Sequence, residues 1–82
     1  MNLEQILKKI NNIFIDIIDD ENIKLDYSTT SQDIDGWESL THFQLIMEIE
    51  KNFKIRFSII EIQSFMNVGD LCNAVFKKIN DN

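Results

Sequence analysis

Proline is absent from this chain, and glycine occurs only at Gly36 and Gly69. A turn-rich β fold needs both residue types in number, so their scarcity favours helices joined by few connections. A single cysteine, Cys72, rules out an internal disulfide, and nothing in the composition suggests secretion. Cationic residues are outnumbered, eight Lys and Arg against fourteen Asp and Glu, for a net charge of -6. Such a surface attracts basic partners and makes nucleic acid or an anionic membrane an unlikely ligand. No long apolar run is present: Glu4, Lys8 and Lys9 interrupt the N-terminal segment, which reads as neither a signal peptide nor a membrane span. The expectation is a cytoplasmic, monomeric protein.

The chain has 82 residues, 44% of them hydrophobic and 27% charged, which suits one folded domain with a modest core spanning 1–82. The apolar residues recur at helical spacing. Leu3, Ile6, Leu7, Ile10, Ile13, Phe14 and Ile17 give a first helix over 3–18 one apolar face, and Asp19-Asp20-Glu21-Asn22 ends it. Residues 19–37 form a long polar connection. A loop of that length must be pinned in a small domain, and Ile23, Leu25, Tyr27 and Ile34 are the expected pins. A second helix is expected over 38–53. Ser58-Ile59-Ile60-Glu61 reads as a capping box opening a short third helix. Asn67-Val68-Gly69-Asp70 caps a fourth over 68–80, with Val68, Leu71, Cys72, Val75, Phe76 and Ile79 on its apolar face. The fold class is therefore all-α, a small four-helix bundle of three longer helices and one short one with a long first loop.

The second helix carries more apolar surface than one core needs. At about 100° per residue, Leu45, Ile46, Ile49 and Phe53 share one arc with His42. Leu40, Phe43 and Met47 share another, as a continuous i, i+3, i+7 stripe. Either the first loop covers that stripe or a partner does. At the start of this helix, in Gly36-Trp37-Glu38-Ser39-Leu40, Ser39 stands where an acidic loop meets the helix. No residue nearby activates it: His42 is three positions on, but nothing orients its imidazole and no oxyanion hole is visible, so a hydrolase is set aside. An unactivated, accessible serine at a helix start suits a substrate of another enzyme, and the free N–H groups there favour an anion attached to it. An ordinary N-cap serine is the plain alternative.

The segment Glu38-Ser39-Leu40, followed by an apolar helix ending in Glu50-Lys51-Asn52-Phe53, resembles the Asp-Ser-Leu attachment motif of acyl carrier proteins, with Glu38 in place of Asp. The resemblance spans most of the chain, and its specific part is 36–53. It implies a carrier that is not itself an enzyme, with a 4'-phosphopantetheine arm on Ser39 whose thiol holds acyl groups as thioesters. Its implied partners are a phosphopantetheinyl transferase, using coenzyme A and Mg²⁺, and the acyl-loading and acyl-accepting enzymes of fatty acid or lipid metabolism. The expected docking residues are Glu38, Leu40, Phe43, Met47, Glu48 and Glu50. Departures from the family pattern point to a specialised pathway rather than the housekeeping one. Thr41 and Gln44 stand where acids are common, and Lys51 and Lys54 add positive charge. The alternatives are an aminoacyl or peptidyl carrier and an arm-less helical adaptor using the Leu40–Phe43–Met47 stripe. Trp37 is expected to staple the chain into the helix, and His42 to face inward as a neutral, hydrogen-bonded residue near any acyl cavity. A pocket lined by Ile46, Ile49, Ile59, Ile62, Phe65 and Met66 is a further expectation. Neither Asp33, Asp35 and Glu38 nor Asp19, Asp20 and Glu21 has the spacing of a calcium loop, so no dedicated metal site is expected.

Overall fold

The computed structural model describes residues 1–80, in four helices: α1 (Leu3–Ile18), α2 (Ser39–Phe53), α3 (Ile59–Ser64) and α4 (Val68–Asn80). These agree closely with the spans read from periodicity, and the bundle is all-α among the described residues. The one shift is at α2, where Glu38 is the N-cap rather than the first helical residue. α1 packs against both α2 and α4. Its apolar face closes the core: Ile6, Ile10 and Phe14 are fully buried, against Leu45, Ile46 and Ile49 of α2 and Val68, Leu71, Cys72 and Val75 of α4.

Local chemistry sets each boundary. Asn2 and Gln5 form a reciprocal capping box at the start of α1, and Ser58 and Glu61 form the one expected at α3. That second box, together with the Lys78 ammonium 3.1 Å from Glu61, holds the Glu61 carboxyl below its ordinary range. α1 and α2 end at Asp19 and Lys54, both left-handed, whose N–H groups return to the Ile15 and Glu50 carbonyls.

The first loop is pinned as required, but by more than its apolar residues. Ile23, Leu25 and Trp37 are buried and Ile34 is half-buried. Asn11, in the middle of α1, clamps the chain between them: its Nδ2 donates to the Ile23 carbonyl at 3.3 Å and its Oδ1 accepts from Leu25 N–H at 2.7 Å. Tyr27 departs from expectation. Its side chain is exposed, and it anchors through its carbonyl, which accepts from Gly69 N–H at 2.8 Å, while the Thr29 carbonyl accepts from Val68 N–H at 2.9 Å. The loop thus caps α4 with its own backbone, assisted by Asn67, whose Oδ1 accepts from Asp70 N–H. A side chain at position 69 would force the loop or α4 to shift, because a Cβ there would sit 2.7 Å from the Tyr27 carbonyl oxygen. Position 36 turns the loop into α2 at φ +91°, a conformation that favours glycine.

α3 buries only Ile62; Ile59 and Ile60 point outward at 68% and 79% exposure. Six residues give too few turns to bury two faces, so Ile59 does not line a cavity as expected. Ile55 and Phe57, just before α3, take that burial instead. Phe76, at the edge of the α4 face, is partly exposed.

Candidate functional site

Ser39 is the first residue of α2 and is exposed. Glu38 before it has extended N-cap geometry, yet its side chain caps nothing. Its extra methylene places the carboxylate badly for reaching back, as the Asp-to-Glu change implies. The first N–H groups of α2 therefore lack the side-chain partners that α1 and α3 have. A phosphodiester on the Ser39 Oγ would lie next to these donors and to the positive end of the helix dipole.

Beside Ser39 opens a cleft of about 490 Å³, lined by residues of the loop, α2 and α3 that include Ser31, Trp37, Glu38, Phe43 and Met66. Ile62, Phe65 and Met66 reach it as expected, whereas Ile46 and Ile49 are buried in the core and do not line it. Trp37 and His42 form its inner wall. The Trp37 and Phe14 rings meet nearly perpendicular at 4.9 Å between centroids, and the Trp37 and His42 rings lie side by side within 25° of one plane. Trp37 and His42 occupy the two staple positions that flank a helix start, so the expected staple is present, in polar form. Trp37 Nε1–H donates to His42 Nδ1 at 3.1 Å, and His42 Nε2 lies 3.1 Å from the Ile62 carbonyl. The partners fix the tautomer. An indole nitrogen only donates and a carbonyl only accepts, so the imidazole is neutral, with its proton on Nε2. No carboxylate orients His42 and its ring nitrogens are both engaged, so it cannot serve Ser39 as a base in this arrangement.

The second stripe of α2 is bare. Leu40, Phe43 and Met47 are 73%, 44% and 68% exposed, and the first loop does not cover them. Glu48 and Glu50 lie on its two margins. Glu48 faces a groove shared with Lys9, Asn12 and Asp16 of α1 and accepts from Asn52. Glu50 directs Oε2 to Phe57 N–H at 2.8 Å, so its carboxylate ties α2 to the next loop. Past Met47, exposed Lys51, Lys54 and Arg56 border a shallow cleft. Arg56 was not singled out in sequence, because it lies beyond the helix and only the αL turn at Lys54 brings it beside the other two. Among the described residues the only ion pair is Lys78–Glu61, leaving these three cations unpaired. No group of three His, Cys, Asp or Glu among the described residues is placed to hold a metal ion.

No family model matches the chain, and no curated protein matches it. Solved structures do. The fold superposes with a TM-score of 0.85 on holo acyl carrier protein from Geobacter metallireducens, at 41% identity over 92% of this chain and 86% of that one. The chain belongs to the acyl carrier protein family. A second similar structure, assigned as an acyl carrier protein of Mycobacterium tuberculosis, gives a TM-score of 0.79 at 29% identity over 88% of this chain and 96% of that one. Family membership makes this protein a carrier rather than a catalyst. No described helix is long and apolar enough to cross a membrane.

Proposed function

We propose that residues 1–82 form a single carrier domain that bears a 4'-phosphopantetheine arm on Ser39 and presents acyl groups from it to partner enzymes in the cytoplasm. The observation that carries this reading is the exposed Ser39 Oγ at an uncapped helix start, on the rim of a cleft, in a chain of this family. The neighbouring structure from Geobacter is of a holo protein, and the residues here suit the same group: a free hydroxyl, donors for a phosphodiester, and a cleft to lie along. Attachment is chemistry done by a transferase. Ser39 Oγ bonds to the phosphorus nearer the pantetheine in coenzyme A, the pyrophosphate P–O bond breaks, 3',5'-adenosine bisphosphate leaves, and the serine proton passes to a base of the transferase. When bound, the arm supplies the thiol that links the acyl group. The chain's own residues do the rest: α2 fixes the attachment point and the Leu40–Phe43–Met47 stripe docks the partner, with Glu38 adding charge at the serine end.

A specialised partner set follows from the polarity of that face. A helix that carries Lys51 in its last turn, with Lys54 and Arg56 just beyond its end, and whose Glu50 is engaged by backbone, offers little to an enzyme recognising an acidic helix. Wild-type-like turnover in a fatty-acid elongation system would sink this part of the reading.

Intact mass after incubation with coenzyme A, Mg²⁺ and a broad-specificity phosphopantetheinyl transferase tests the attachment. The parent gains one arm; Ser39→Ala gains none and melts alike, since an exposed side chain with no partner is worth about 0.5 kcal/mol or less. No addition to the folded parent across several transferases would favour an arm-less adaptor using the same stripe.

A further inference from the structure

We infer that His42 is a specificity-determining bar between the Ser39 cleft and the core, and that this carrier holds short acyl groups in the cleft without sheltering a long hydrocarbon. The inference deepens the carrier reading and rests on it.

His42 lies one turn beyond Ser39 on α2 and joins three elements with its two ring nitrogens: the loop through Trp37 Nε1–H and α3 through the Ile62 carbonyl. All three of these residues line the cleft. Behind them the space is filled. Phe14 packs perpendicular to the Trp37 ring and is fully buried, and Ile46, one turn past His42, is 1% exposed. A chain moving inward between α2 and α3 must part the bridge. That step would leave an indole N–H, a carbonyl and both imidazole nitrogens facing methylene groups that can neither donate nor accept. A long saturated chain gains nothing to offset those losses at the bar itself. A short group reaches no farther than the cleft, where the wall offers Ser31, Glu38 and Gln63 as well as Phe43 and Met66. Among the described residues every buried polar side-chain atom has a partner in the closed arrangement, so the bar is a satisfied state rather than a strained one.

The test loads the arm of the full chain with butanoyl, octanoyl or dodecanoyl groups, using the matching acyl coenzyme A and a transferase, with intact mass confirming one adduct. Two signals are then read: the rate at which hydroxylamine cleaves each thioester, and the emission of Trp37, the one tryptophan and itself part of the bridge. The expected result is three cleavage rates within about two-fold of each other and emission independent of chain length, because the hydrogen-bond loss opposes entry. His42→Ala removes the bar, and its dodecanoyl thioester should then be cleaved about five-fold more slowly than its butanoyl one. A parent whose cleavage slows steadily with chain length as Trp37 emission shifts would overturn the inference, and that series decides it even if the variant does not fold. A folded variant without slowing would overturn the role of His42. Failure to load any arm appears separately in the mass, and overturns the carrier reading together with this one.

Discussion

Two halves of one small bundle treat their apolar residues in opposite ways. Between α1 and α4, Ile6, Ile10, Phe14, Val68 and Val75 are all at 0% exposure, and loop backbone caps the start of α4. On the α2–α3 side, Leu40, Met47, Ile59, Ile60 and Met66 are each more than two-thirds exposed, and the start of α2 has no side-chain cap. Both halves are made from the same amphipathic material. The difference lies in spare surface: α1 and α4 each carry one stripe and bury it, whereas α2 carries two and α3 is too short to cover the second. Stability therefore resides in the first half, and surface for other molecules in the half that holds Ser39.

The largest expected effect separates the halves directly. Phe14→Ala should cost about 3–5 kcal/mol in urea unfolding, as loss of a buried aromatic ring does. Leu40→Ala should stay within about 0.5 kcal/mol, as an exposed position does. A Leu40 cost well above that would mean the stripe is structural, and the docking argument would lose its basis. Next in size is Gly69→Ala. The added methyl meets backbone at Tyr27 rather than a side chain that can swing away, so the loop must move or α4 must lose its cap. A destabilisation of about 1–3 kcal/mol is expected, with faster amide exchange at Val68 and Gly69. Unchanged exchange there would show that the loop is not what closes this half.

The closed half was the more legible one. Repeats of apolar residues at helical spacing mark α1 and α4 directly, and the capping residue Asn67 is a local signal. Ser39 and its stripe were legible too, because the serine and the exposed apolar face proposed for docking lie within one helix. What sequence spacing could not reveal are bonds between distant residues. Asn11 clamps Ile23 and Leu25 from more than ten residues away, and His42 reaches Ile62 across twenty. No local pattern distinguishes an asparagine that holds a loop from one that meets water. The outward turn of Ile59 was missed for a related reason: in so short a helix, burial is decided by the neighbouring Ile55 and Phe57, and not by a period.

The smallest effect probes how tightly the closed half is shut. Cys72 lies on α4 at 0% exposure, and burial pushes its thiol up from an ordinary 9.0 to about 11. Below about pH 9 the thiol is neutral in both folded and unfolded chains and contributes no pH dependence. Between 9 and 11 the unfolded chain has released the proton and the folded chain still binds it. The unfolded state then holds fewer protons, so stability falls as pH rises, by at most about 1.4 kcal/mol per unit for one group. The measurement is a difference between parent and Cys72→Ala, so contributions common to both chains cancel. Below pH 9 the variant should be less stable because of the cavity, and above pH 9 its stability should decline less steeply than the parent's, so that the gap narrows. Iodoacetamide gives the kinetic counterpart, since only the thiolate reacts: labelling at pH 8 should be slow in buffer and fast in urea. Equal slopes together with fast labelling of the folded chain would mean that α4 opens readily, and the contrast between a closed half and an open one would not hold.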